Sequence, residues 1–422
     1  MSARAPRVPE DQALALRERV SAVRARTLAL ARPLAPEDTV VQSMPEASPT
    51  RWHLAHTTWF FERFVLAPHE PGYAPHDAAF EFLFNSYYDA VGARTPRAER
   101  GLLSRPTLAE VRAYRQAVDE RLDALLARAP PSPELSAVVE LGMNHEQQHQ
   151  ELLLTDIKHA FSLNPLQPAY GARAPRSVAR ARPLRFTTRP DGIVEVGAGA
   201  SGFAFDNERP RHRALLHPHA IASRLSTNAE FRAFIDAGGY REPRLWQSDG
   251  YAQIQRLGWD RPLYWSADLA TAFTLAGVRP IDPNAPVCHV SWYEADAFAR
   301  WSGARLALEE EWEACAAPLP PEGNFQERDV LQPEPADDSG EPVAQLYGDA
   351  WEWTGSAYLG YPGYRPPEGA LGEYNGKFMS GQFVLRGGSC ATPSSHVRAS
   401  YRNFFYPGDR WQFMGIRLVR DG

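Results

Sequence analysis

Residues 132–161 read SPELSAVVELGMNHEQQHQELLLTDIKHAF, and this stretch decides how the first part of the chain folds. Apolar side chains recur at three- and four-residue spacing, the period of an α-helix with one buried face. Ser132 followed by Pro133 is a start signal, because proline's fixed φ suits the first turn of a helix. His145 and His149 stand four residues apart. Their rings therefore leave one face of the helix about one turn from each other, a spacing that lets two imidazoles chelate one ion.

Upstream, the same period appears three more times. Residues 11–30 (DQALALRERVSAVRARTLAL) carry it without a breaker, and Ser48-Pro49 opens a second helix through RWHLAHTTWFFERFVL at 51–66. Thr107 and Glu110 form a capping box ahead of VRAYRQAVDERLDALLARA at 111–129. Long helices with connections of mixed length predict a four-helix bundle over residues 1–164. The stretch from 67 to 106 is long, aromatic and glycine-containing, and loops of that length in compact domains are often functional.

Residues 165–187 (PLQPAYGARAPRSVARARPLRFT) are rich in proline and arginine and read as a linker. From 188 to 422 the pattern changes. Short apolar runs alternate with turn residues, as in IVEVGAGASGFAFDNERPRH at 193–212, VCHVSWYEADAFARWSG at 287–303 and FVLRGGSCATP at 383–393. Helical pattern survives in TNAEFRAFIDAGG and SWYEADAFARWSG. The fold class expected is α+β in two domains, the second irregular and held by aromatics. The acidic, proline-rich QPEPADDSGEP at 332–342 is expected to be an exposed loop.

Composition narrows the function classes. A chain of 422 residues is about right for two cores, and 44% hydrophobic with 23% charged residues is a soluble, globular balance. The net charge of −6 and the lack of a Lys/Arg-rich run argue against a nucleic-acid partner. No stretch approaches the ~20 apolar residues of a membrane helix. The opening MSARAPRVPEDQ has no apolar core, so a cytoplasmic protein is expected. Cys288, Cys315 and Cys390 are odd in number and far apart, and read as free thiols.

His56 lies on the stripe Trp52, His56, Trp59/Phe60, Phe64 of the second helix, which should face the bundle interior. Metal sites in bundles are built from inward groups on facing helices, so His56, His145 and His149 form a candidate ligand set. Three neutral imidazoles suit zinc, iron, copper or nickel. Two other readings compete. Each histidine could be a satisfied core residue. Alternatively HEQQH at 145–149 matches the His-Glu-x-x-His pattern of zinc metallopeptidases, with Glu146 as general base. Against the peptidase, a third ligand at the usual short downstream spacings is missing. His53 and His159 lie off the two stripes and read as surface or supporting residues.

The run His145-x-x-x-His149-x-Glu151, with WHLAHTTWFFE upstream, resembles the iron-binding pattern of the ergothioneine-biosynthesis sulfoxide synthases. GFAFDNERPRH, TNAEFRAFIDAGGY, VSWYEADAFARW, GDAWEWT and VLRGGS…YRN…GIRL are similar to marks of their second half. The resemblance covers nearly the whole chain. It implies a DinB-like bundle followed by a domain like the formylglycine-generating enzyme and C-type lectins. It implies iron(II) on His56, His145 and His149, with dioxygen as co-substrate. The reaction implied joins a cysteine-type thiol to the imidazole carbon of hercynine (Nα-trimethylhistidine), giving a sulfoxide. The partners implied are small molecules only.

Residue by residue, the resemblance implies that Gln148 lies near the substrate imidazole and that Glu151 supports the site at most. Asn403 and Phe404, with Phe405 beside them, would meet the trimethylammonium end, where an aromatic face suits a quaternary ammonium. Hercynine would then lie between the histidine pair and Asn403/Phe404. A catalytic tyrosine is implied at Tyr87 or Tyr88 in FNSYYDAVG, with Tyr374 in GEYNGKF as a further candidate. Arg94 and Arg97 match an arginine pair that clamps the donor carboxylate, and Arg100 could replace one of them. The chain departs from the actinobacterial pattern Asn-Trp-Asp-Tyr, reading Asn403-Phe404-Phe405-Tyr406. The acid that would pair with the donor's amino group is gone, so a γ-glutamylcysteine preference does not carry over. A related scaffold, selenoneine synthase, joins a selenosugar to hercynine, and that donor stands as the alternative. A formylglycine-generating enzyme proper would need a copper-binding cysteine pair, and Cys390 has no close partner in sequence.

Overall fold

The computed structural model describes residues 10–422 apart from 129, 179, 190, 338–339, 370–371 and 373–374. It divides into two compact units, residues 1–163 with 368–374 and residues 164–367 with 375–422.

The first unit is built on four long helices: α1 (Glu10–Ala31), α2 (Thr50–Phe61), α3 (Leu108–Arg128) and α4 (Pro133–Leu163). Helix α2 packs against the other three, and α1 packs against α4 and α3. Every residue of α2 is buried, its polar side chains included, as fits a helix at the centre of a bundle, where no side faces water. Its polar side chains bond inward, as Thr58 does by donating to the Leu54 carbonyl at 2.8 Å. Two of the three start signals operate as read; at the third, Pro49 itself is the N-cap of α2 with no side-chain cap, and Ser48 Oγ accepts from Arg100 at 2.9 Å instead. Thr107 Oγ1 donates to Glu110 Oε2 at 2.6 Å and accepts from the Glu110 amide at 3.2 Å, while Ser132 Oγ accepts from the Leu135 amide at 3.2 Å. Beyond Phe61, α2 runs on into a π-helical turn, Glu62–Leu66. The segment before α3 is folded, with short helices at Ala67–His69 and Phe80–Phe84 and a 3₁₀ turn at Arg97–Leu102.

The second unit is mixed. Strands β1 (Phe186–Arg189), β4 (His219–Ala222), β12 (Leu418–Asp421) and β7 (Arg305–Leu306) form one sheet in the order β1-β4-β12-β7. Strands β10 (Asn403–Phe405), β9 (Phe383–Arg386), β8 (Trp351–Ala357) and β11 (Met414–Gly415) form another in that order, with only β11/β8 parallel. Two hairpins add β2 (Gly192–Val196) with β3 (His212–Leu216), and β5 (Thr271–Thr274) with β6 (Gly277–Pro280). Helices α5 (Asn228–Asp236), α6 (Ser248–Leu257), α7 (Trp292–Trp301) and α8 (Glu309–Ala316) pack among them.

The motifs of this unit lie in a buried ionic core. Arg417 pairs with both oxygens of Glu352 at 2.7 Å, and Trp312 Nε1 donates to the same carboxylate at 2.8 Å. Arg386 reaches Glu309 and Glu313 at 2.9 Å, and Arg402 reaches Glu309 at 2.8 Å. Charges in a core persist only when paired and hydrogen-bonded, so the letters of GDAWEWT, VLRGGS, YRN and GIRL answer to one another.

The stretch 165–187 is laid along this unit: the Gly171 amide donates to Leu275, the Arg173 amide to Asp329 and the Ala181 amide to Asn284, at 2.8–3.0 Å. The expectation of an exposed loop at 332–342 is corrected in part. Pro333–Ala336 are buried, because the Glu334 amide donates to Asp349 at 2.8 Å and its carboxylate pairs with Arg328 at 2.8 Å. All three cysteines are free and buried. Among the described residues no helix is long and apolar enough to cross a membrane.

Candidate metal centre

His145 and His149 project from α4 toward His56 on α2. The three rings form a closed set, with centroids 4.6–4.9 Å apart and steep interplanar angles of 63–81°. One ring nitrogen from each lies within 4.8 Å of the others. His56 Nε2 and His145 Nε2 are 3.1 Å apart. Two nitrogens that each sit about 2.1 Å from one ion, near a right angle, are separated by about that distance. The donor set therefore fits a divalent transition ion. The orientation of His56 is set from behind: its Nδ1 donates to the Phe84 carbonyl at 2.6 Å, which leaves Nε2 with the lone pair. Trp52 stacks on the same ring at 4.5 Å and 13°.

Burial keeps these imidazoles neutral, as ligands must be. It drives His145 down to about 3. Burial, then the neighbouring imidazole of His145, holds both His56 and His149 well below the usual range.

Glu146 points elsewhere. Its carboxylate is fully buried and takes Arg24 at 2.8 Å, Thr27 at 2.5 Å, and Arg115. Burial raises its pKa, but Arg115 and Arg24 outweigh burial and hold it at about 2. A carboxylate locked between two arginines is poorly suited to take a proton from water, so the peptidase reading loses its base.

The structure gathers some of the other predicted residues. Gln148 is half-buried and Glu151 buried on α4. Tyr88 is fully buried against Trp59 and Phe64, at 5.9 and 5.1 Å, with Tyr87 at 4.7 Å. Trp59 in turn stacks near His56 at 5.7 Å. Arg94 pairs with Asp89, and Arg97 is exposed. Arg100 is buried, with its guanidinium 3.4 Å over Trp52, bonds to Ser48 and Ser86, and no partner for Nε among the described residues. In the second unit Phe404 stacks on Tyr358 at 4.0 Å, Phe405 meets Trp411 edge-on at 5.6 Å, and Asn403 Oδ1 accepts from the Phe404 amide at 2.9 Å. Tyr374 lies outside the described residues.

Sequence marks His53 as a surface or supporting residue and does not single out Asp156. His53, read as lying off the stripe, is buried with Nδ1 2.8 Å from His149 Nδ1. Asp156 stands 3.1 Å from His53 Nε2. The available signal was spacing: His53 precedes His56 by three residues, and Asp156 follows His149 by seven, two turns along one face. His159 bonds Ser43 instead, at 2.7 Å.

Known proteins align with both units. The DinB superfamily matches residues 19–153, and the sulfatase-modifying factor enzyme 1-like domain matches 178–341 and 319–422. The hercynine oxygenase of Mycolicibacterium thermoresistibile is 33% identical over 415 residues, spanning 89% of this chain and 88% of that protein. That of Mycobacterium tuberculosis is 33% identical over 403 residues, spanning 89% and 92%. The formylglycine-generating enzyme of Streptomyces coelicolor is 35% identical, but over 160 residues, 34% of this chain and 51% of its own. That likeness covers about a third of the chain, whereas the likeness to the oxygenases runs through both units. The chain belongs to the hercynine oxygenase family.

Proposed function

We propose that this protein is a hercynine oxygenase of ergothioneine biosynthesis, holding iron(II) on His56, His145 and His149. In the reaction, the carbon–hydrogen bond of the hercynine imidazole and a donor sulfur–hydrogen bond give way to a carbon–sulfur bond and a sulfoxide. Dioxygen takes up the electrons released, leaving water. The observation that carries this reading is the buried three-imidazole set in a chain of this family. When bound, the metal supplies a redox centre at which dioxygen reduction and sulfur oxidation are coupled.

The chain's own residues do the rest. The three histidines stay neutral and pre-oriented, so an anionic sulfur donor would not have to compete with a ligand carboxylate. Tyr88, buried one aromatic ring from His56, is suited to hold or give a proton out of reach of bulk water. Gln148 is proposed for the substrate imidazole, and Asn403, Phe404 and Phe405 as candidates for a trimethylammonium group, which an aromatic face suits. Of the three arginines, Arg100 has the buried guanidinium and the uncommitted nitrogen that a donor carboxylate would use, while Arg94 is engaged by Asp89 and Arg97 is solvated. A cysteine-type thiol is the donor proposed.

The test is oxygen uptake by iron-loaded protein, with mass spectrometry of products from cysteine, γ-glutamylcysteine and a selenosugar side by side. Uptake that requires hercynine together with a thiol, and a sulfoxide product, is expected. No uptake with any pair contradicts the oxygenase reading. A selenium adduct without a sulfur adduct replaces the donor.

A further inference from the structure

We infer that His53 and Asp156 form a positioning relay that fixes the tautomer and ring orientation of His149 toward the metal. The inference rests on the three-histidine site and adds to it a pair of residues that touch neither substrate nor metal.

The relay is read from its far end. Asp156 Oδ2 accepts the Ser48 amide at 2.8 Å, which fixes the carboxylate against the backbone at the entry to α2. The same oxygen lies 3.1 Å from His53 Nε2. A carboxylate only accepts, so His53 Nε2 donates to it, and in the neutral ring Nδ1 then carries the lone pair. That Nδ1 is 2.8 Å from His149 Nδ1. The hydrogen between the two rings therefore belongs to His149 Nδ1, and His149 Nε2 is left bare. His56 follows the same logic with a simpler partner, donating Nδ1–H to the Phe84 carbonyl. Two of the three imidazoles thus have their metal-facing nitrogen chosen before any ion arrives. A carboxylate behind a ligand imidazole also makes it a better electron donor.

Both groups are buried, at 3% and 5% exposure, so water does not substitute for either. Both also occupy helix positions that share a face with a ligand: His53 three residues before His56, and Asp156 two turns beyond His149. A buried polar pair kept only for packing would show the same burial, so the test reads the His149 ring itself.

The full-length protein is compared with His53→Leu, Asp156→Ala and Asp156→Asn. Fe(II) affinity is measured anaerobically by competition with a chromophoric chelator. Ring ¹⁵N chemical shifts of the metal-free protein at neutral pH report each histidine tautomer. Wild type is expected to show His149 protonated at Nδ1 alone. His53→Leu and Asp156→Ala are expected to bind Fe(II) about 10–100-fold more weakly and to show mixed His149 tautomers. Asp156→Asn, which keeps an acceptor for His53 Nε2–H, stays nearer wild type in both readouts and covers the case in which the larger changes fail to fold. Unchanged affinity in His53→Leu and Asp156→Ala overturns the relay, and so does weaker binding with an unchanged His149 tautomer. Failure of wild type to take up iron overturns the three-histidine site instead.

Discussion

Glu146 follows His145 in the chain but faces the other side of α4, toward Arg24 and Arg115. One step along a helix turns a side chain by about 100°, so neighbours in a sequence motif are not neighbours in space. Its work is to neutralise two arginines in the bundle core. Glu146→Gln leaves Arg115 without its carboxylate and Arg24 with Asp119 alone, and should cost about 3–5 kcal/mol by chemical denaturation, whereas a surface-facing catalytic base would cost little stability. Tyr88 and Tyr87 make a second comparison at this scale. Tyr88→Phe should lower turnover by about 100-fold or more with iron binding intact. Tyr87→Phe, whose ring is only half-buried, should change it less, and steady-state kinetics of the two variants decides between them. The three ligand histidines were legible because a spacing of four and an aromatic stripe are direct consequences of helix geometry. Asp156 was not, and His53 was placed only as a surface or supporting residue, since both lie on helix stretches where polar and apolar side chains alike are buried.

At the scale of the element, the distance between α2 and α4 decides whether the histidines meet. Gly142 sits one turn before His145 and faces Phe60 and Phe61. A Cβ there would lie 2.8 Å from Phe61 Cε1 and 3.0 Å from Phe60 Cε1. Alanine normally favours a helix over glycine by about 1 kcal/mol, yet Gly142→Ala should destabilise the protein by about 1–3 kcal/mol, because the rings have to shift in a packed core. Denaturant midpoints of the two proteins check the sign. The starts of α3 and α4 were open to sequence reading because their caps are local: Thr107 with Glu110, and Ser132 ahead of Pro133. The folded segment around Phe80–Phe84 was not, since its short helix lies in a stretch read as a loop and its carbonyl of Phe84 is fixed by a partner on α2.

At the scale of the whole molecule, the second unit shows why motif recognition outran pattern reading. Its strands are two to seven residues long, too short for alternation to assign a face. Its buried ion pairs join residues far apart in sequence, such as Arg417 with Glu352. Conditions that protonate buried groups should expose the same design. Burial, then Arg398, holds His396 well below 6.5. Below pH 6.5 the unfolded chain therefore binds a proton that the folded protein refuses, and stability falls as pH drops, by up to about 1.4 kcal/mol per unit. His396→Gln should flatten that acid limb in denaturation curves taken across pH, and an unchanged slope would show that His396 titrates normally. The most direct test of the three-histidine site is the iron bound per chain after anaerobic loading and removal of free metal. One iron(II) is expected in the native protein and none in His56→Ala, His145→Ala or His149→Ala variants that keep the native helical circular dichroism. Full iron retention by the three variants would contradict that site.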